Sequence, residues 1–152
     1  MNNYLAYNNV PLLSCCIMAI LSRHSSIDIT RLSCLTSLLM NPEIARKATS
    51  YTNNIKFPAF IKTNRALLDT FNQHYYGLLP HYVTALSILI DMGCITIVDN
   101  LIRNDRQELF DDLRENSKSE RLNDICKATD FIYSLTSQIN TRTLINSLRI
   151  EL

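Results

Sequence analysis

Three histidines, five cysteines and one run of carboxylates are the side chains of this sequence whose types could do chemistry. His74 and His81 flank a turn between two expected helices, from which both can reach one spot. A metal site there would need a third and a fourth ligand, and neither Cys94 nor Asp69 is well placed to supply one. Cys15 or Cys16 could act as a nucleophile beside a histidine, but an apolar helix raises a thiol's pKa and keeps it inert. The adjacent pair could form a strained vicinal disulfide, although two small core residues is the simpler reading. Asp111 and Asp112, with Glu108 and Glu115, could hold a divalent cation. Runs of this kind are usually solvated faces, and Arg103, Arg106 and Arg114 stand ready to neutralise this one. No catalytic, metal or cofactor constellation emerges, so the chain is expected not to be an enzyme.

Composition narrows the field further. Gly77 and Gly93 are the only glycines in 152 residues, which removes both kinds of Gly-rich phosphate loop. The formal net charge is +1, too small for an overall field that draws the molecule onto nucleic acid or an anionic membrane. Charge is unevenly spread, with seven Lys/Arg against three Asp/Glu in residues 1–90 and eight against eleven in 91–152. Arg46, Lys47, Lys56, Lys62 and Arg65 hold most of the positive part and read either as a solvated face or as a phosphate-contacting patch. An odd number of cysteines without C-x-x-C spacing fits reduced, buried thiols and a cytoplasmic location. The apolar run 12–21 is too short to span a bilayer, no Lys or Arg precedes it, and no small-residue cleavage site follows. A soluble protein without a membrane partner is expected.

The elements that must position these groups are mostly helical. Asn9 can cap a helix with Pro11 in its first turn, running to about Arg23 and apolar nearly all round, hence central and buried. Asp28 or Thr30 caps a second helix, with Leu32, Leu35, Leu38 and Leu39 at helical spacing. Asn41-Pro42 ends it and starts a third, reaching about Tyr51. Pro58 opens a longer helix whose buried stripe is Ile61, Leu67, Leu68, Phe71 and Tyr75. Gly77 is expected to break it, and Pro80 to begin the next, which Gly93 closes as a left-handed cap. Residues 94–98 suggest a strand; a polar segment follows, and 107–113 either pairs back as a second strand or is helical. Helices over 119–139 and about 141–148 complete the chain.

This order predicts a mostly α fold, a helical bundle with a winged helix-turn-helix-like core and a short two-stranded wing. A single domain is expected over 1–152, with N-terminal helices in 1–52, the core in 53–115 and C-terminal helices in 116–152. The second helix of that core would offer a DNA groove only His81, Thr84 and Ser87, so packing explains it better than base reading. Tyr4, Tyr7, Tyr75 and Tyr76 stand in polar or turn positions, where tyrosines either seal a core edge or bind partners.

The sequence resembles the small middle component of bacterial three-component ABC-ATPase systems, including Lamassu-type anti-phage and anti-plasmid systems. The features that carry the resemblance are Asn8-Asn9-Val10-Pro11 before the apolar run 12–21, the leucine-rich 32–40 with Asn41-Pro42, and the segments 60–71, 79–93 and 94–98 standing for a winged-helix core. Ala128-Thr129-Asp130-Phe131-Ile132 and Leu148-Arg149-Ile150 match the family's closing helices. The resemblance implies a non-enzymatic adaptor that docks on an SMC/Rad50-like ATPase and couples DNA sensing to a nuclease or other effector. Partner contact would then fall to Tyr4, Tyr7, Tyr75, Tyr76 and His81. Arg46, Lys47, Lys56, Lys62 and Arg65 would face DNA backbone or an acidic ATPase surface, with non-specific DNA contact made through the complex. The alternative is a stand-alone winged-helix transcription regulator, which would be a homodimer binding specific DNA. A small enzyme, the third reading, would lose function but not stability when Cys15, Cys16 or Asp111-Asp112 is changed.

Overall fold

A computed structural model describes residues 9–51 and 55–152. Its first helix, α1 (Val10–Leu21), starts where the Leu12 N–H donates to Asn9 Oδ1 at 3.0 Å. Pro11 occupies the first turn, where a missing N–H leaves nothing unpaired. Leu13, Cys16, Ile17, Ala19, Ile20 and Leu21 are all buried. A helix apolar on every side needs neighbours on every side, and α1 is the central element of the fold.

The next turns are set by single side chains. β1 (Ile27–Asp28) leads directly into α2 (Ile29–Met40), where Asp28 Oδ1 accepts from the Thr30 and Arg31 N–H groups at 2.9 and 3.0 Å. Asn41 ends α2 and caps α3 (Pro42–Ser50), accepting from the Glu43 and Ile44 N–H groups. The chain continues through α4 (Phe57–Thr63), α5 (Arg65–Leu68), α6 (Phe71–Asp91), β2 (Ile95–Val98) and β3 (Leu101–Asn104). It closes with α7 (Gln107–Asn116), α8 (Glu120–Thr136) and α9 (Thr141–Ser147). α6, α2 and α8 enclose α1, while α3 packs along α8. One hydrophobic cluster runs from Leu13 to Ile150. No described helix is long and apolar enough to cross a membrane.

The sheet is antiparallel with strand order β1-β3-β2. Val98 pairs with Leu101 across Asp99 and Asn100, both with positive φ, as a tight two-residue hairpin demands. Ile102, fully buried, pairs with Ile97 on one side and Ile27 on the other. The expected strand at 94–98 is therefore present, but its partner lies at 101–104, inside the segment read as a connector. Residues 107–113 belong to a helix, the second of the two readings given for them.

The larger correction concerns residues 58–93. No break occurs at Gly77 and no new helix starts at Pro80; α6 runs through both. A proline inside a helix costs about 3 kcal/mol, and a buried large side chain returns about 1.5–3 kcal/mol. Tyr75, Leu78, Tyr82, Ala85, Leu86 and Leu89 are all buried along one stripe of α6, so packing outweighs the two helix breakers. Breaks fall earlier, between α5 and α6 at Asp69-Thr70 and, before that, at Asn64. Its backbone leaves the helical region (φ −104, ψ 17), and its Nδ2 donates to the Phe60 carbonyl at 2.9 Å and to Tyr51 Oη at 3.1 Å. An asparagine that bonds locally in this way competes with the helix ladder. Gly93 behaves as expected, with φ +69 and the Cys94 N–H reaching back to the Leu89 carbonyl at 2.8 Å.

Two arginines tie α2 and α8 together at opposite ends. Arg31, in the first turn of α2, donates to the carbonyls of Thr136, the last residue of α8, and of Ile139 just beyond it, at 2.6 and 2.7 Å. Arg121, in the first turn of α8, donates to the Met40 carbonyl at the end of α2 at 2.7 Å. Each guanidinium thus meets carbonyls at the negative end of the other helix.

Three outcomes follow from this structure. Arg31→Met keeps the apolar stem but loses both bonds, and should lower stability by about 2 kcal/mol in urea unfolding. Gly77→Ala should raise the urea midpoint by a gain of about 0.5–1 kcal/mol, because its Cβ would meet nothing within 4 Å and the backbone there is helical. Gly93→Ala should lower it by about 1 kcal/mol, because of its positive φ. Destabilisation by Gly77→Ala would show that residue 77 interrupts the helix after all.

Candidate functional site

Burial decides the chemistry of the thiols. Cys16, Cys34 and Cys94 are buried, and desolvation pushes the Cys16 thiol far up and that of Cys34 to about 11. Cys15 and Cys126 are half-buried, and burial raises them as well. A thiol held neutral in this way is a poor nucleophile at neutral pH. His24 lies with Nδ1 2.8 Å from the Ile20 carbonyl and its ring edge-on to Tyr133.

His74 and His81 do not flank a turn. They sit on one continuous helix, seven residues and therefore about 10 Å of rise apart, too far for one small ligand. Two of the four acidic residues of α7 have a basic neighbour: Arg106 pairs with Glu108 and holds its carboxyl below the usual range, and Arg114 lies 3.9 Å from Asp111. Arg103 turns instead to Asp105 at 2.8 Å. Among the described residues no three His, Cys, Asp or Glu side chains come together where they could hold a metal ion.

The residues expected to meet partners separate into groups. Tyr75 is a core residue, 4% exposed, with its hydroxyl 2.9 Å from that of Ser33, so it offers a partner no surface. Adjacent helical residues point about 100° apart, and Tyr76 is accordingly 42% exposed. Its ring lies edge-on to Tyr75, and its hydroxyl donates to the Glu151 carbonyl. His81 is half-buried on the same helix. Tyr4 and Tyr7 lie outside the described residues. Arg46 and Lys47 are exposed on α3, and Lys56 and Lys62 are exposed at the start and end of α4. None of these four makes an ion pair among the described residues. Arg65 is half-buried, and its Nη1 has no hydrogen-bond partner there.

Sequence reasoning missed the outward face of α6. Tyr76, Val83 (59% exposed) and Ile90 (44% exposed) recur every seven residues, nearly two turns apart, with Pro80 and Ser87 exposed between them. Ile88 and Met92 add to the exposed apolar surface around the end of the helix. α6 holds no lysine or arginine over its 21 residues. The heptad spacing was present in the sequence, but a helix this rich in apolar residues does not announce which of its faces is buried. Val98 and Leu101, exposed beside the hairpin turn, are apolar as well.

A second feature is a groove of about 710 Å³ between the segment around Tyr51 and α8. Tyr51 stacks on Phe131 with centroids 5.2 Å apart, and Phe60 packs against both rings. Lys56, Phe57, Leu135 and Ile139 also line the groove, which brings one residue of the basic set beside an aromatic floor. No protein-family model matches the chain, and no curated protein and no solved structure matches it either.

Proposed function

We propose that this chain is a non-catalytic adaptor subunit of a bacterial anti-phage complex of the Lamassu kind. It docks on an SMC/Rad50-like ATPase and couples DNA sensing by that ATPase to a nuclease or other effector. The observation that carries the reading is the heptad of exposed apolar residues on α6, Tyr76, Val83 and Ile90. Apolar side chains repeated every seven residues on a helix are the pattern by which helices pack side by side, and a coiled-coil ATPase offers long helices as partners. The thiols held protonated by burial agree with a role in holding proteins together. The exposed cations Arg46, Lys47, Lys56 and Lys62 would serve an acidic surface of the ATPase or the backbone of DNA held by the complex.

A winged-helix core remains part of the proposal, with its members reassigned. β1 lies between α1 and α2, and the β2–β3 hairpin follows α6, so α1, α2 and α6 would stand as the three helices and the hairpin as the wing. That arrangement also favours a second reading, a DNA-binding regulator. Two features weigh against it. Residues 41–70 lie between α2 and α6 where a helix-turn-helix has a short turn, and α6 offers no arginine or lysine to a groove.

Affinity purification of the tagged chain from its native host, followed by mass spectrometry, tests the proposal. A long coiled-coil ATPase should be recovered, with or without a nuclease. Val83→Glu combined with Ile90→Glu should lower that recovery about tenfold or more, with the unfolding midpoint unchanged because both side chains are exposed. Recovery only as a homodimer that shifts a specific promoter fragment would replace the adaptor with the regulator.

A further inference from the structure

Three cations from distant parts of the sequence converge on one small pocket. Arg23 follows the end of α1, Arg114 lies in the last turn of α7, and Lys127 is in the middle of α8; all three line a cavity of about 130 Å³. Ser22, Cys126 and Asp130 line it too. Asp130 is the one carboxylate among the lining residues, and it is paired with Arg23. Among the described residues Arg114 pairs only with the half-exposed Asp111, 3.9 Å away, a pair of little strength in water. Lys127 makes no ion pair among the described residues. Two cations therefore face the cavity without a strong counter-charge. Like charges gathered around one cavity repel, and an anion between them removes that repulsion.

We infer that this pocket binds a tetrahedral oxyanion of the phosphate type. The cavity, about 130 Å³ and open to solvent on one side, has room for one oxyanion. The guanidinium of Arg114 provides a planar fork for two oxygens and Lys127 a point charge for a third. The anion is supplied either free or as the terminal phosphate of a larger ligand whose remainder stays outside. The site is separate from the α6 face and does not depend on the adaptor reading.

Cys126 is a built-in reporter, because it lines the same pocket and is half-buried, while Cys15 is equally half-buried but does not line it. The full chain is alkylated with iodoacetamide in sodium phosphate or in sodium chloride of matched ionic strength, and each cysteine is followed by peptide mass spectrometry. Phosphate should slow Cys126 labelling about fivefold or more and leave Cys15 unchanged, and sulfate should act similarly. Arg114→Gln with Lys127→Gln should raise the phosphate concentration needed by about tenfold or more. If that pair of changes impairs folding, Lys127→Gln alone, at an exposed position, is read in the same way. Protection by adenosine monophosphate at lower concentration than by phosphate assigns the anion to a larger ligand, and equal protection assigns it to the free ion. Labelling of Cys126 at the same rate with and without phosphate, or undiminished protection in the variants, overturns the inference.

Discussion

The fold depends on one requirement, that the apolar surface of α1 be enclosed. Leu13, Cys16, Ile17, Met18, Ala19, Ile20 and Leu21 spread around most of the helix and are all buried, while Ser14 and Cys15 are half-buried. The large aliphatic members of this set are worth about 1.5–3 kcal/mol each when buried, which makes the enclosure a dominant stabilising term. The neighbours are shaped to serve it. α6 must run long and unbroken to cover one side, and that is why a glycine and a proline in its middle do not stop it. The sheet closes another part of the surface through Ile102, which is wholly buried and lies on the strand nearest α1.

Around that centre, the remaining helices are fixed by polar contacts at their ends. The reciprocal bonds from Arg31 and Arg121 pair the start of α2 with the end of α8, and the start of α8 with the end of α2. Carbonyls at helix ends otherwise look for water or a cap, and here a charged partner from another helix satisfies them. The Asn64 break has a related effect. By bonding to Tyr51 and Phe60, it turns the chain between α4 and α5 and fixes the Tyr51–Phe60–Phe131 aromatic group beside the groove. Thr36 Oγ1, Asn64 Oδ1 and Arg65 Nη1 are the buried side-chain polar atoms left without a partner among the described residues.

These constraints connect packing with function. Because one stripe of α6 is committed to α1 and α2, its opposite stripe is forced outward, and there Tyr76, Val83 and Ile90 stand exposed with no lysine or arginine among them. The same commitment turns Tyr75 inward while its neighbour Tyr76 remains at the surface, pinned to the C-terminal end of the chain. α1, α7 and α8 likewise bring three cations to one cavity, although they are separated by up to about a hundred residues of sequence.

Local signals were legible in the sequence. Asn9, Asp28, Asn41, Ser119 and Asn140 each accept from an N–H within the next three residues, so the helix starts that they mark need no knowledge of the rest of the chain. The Gly93 cap and the buried character of α1 were legible for the same reason. The absence of a phosphate loop also followed from composition alone. What sequence reading misplaced depends on distant partners. Whether a helix continues through Gly77 and Pro80 is decided by the area its stripe buries on α1 and α2, and short strands such as β1 and β3 exist only through the strands they pair with. The pattern of apolar residues determined that α6 would be helical and partly buried. Only the tertiary structure decided which stripe it buries, and hence that Tyr75 is core, that Val83 and Ile90 are surface, and that Arg23, Arg114 and Lys127 share a pocket, because exposure and proximity belong to the packed chain and not to any segment of it.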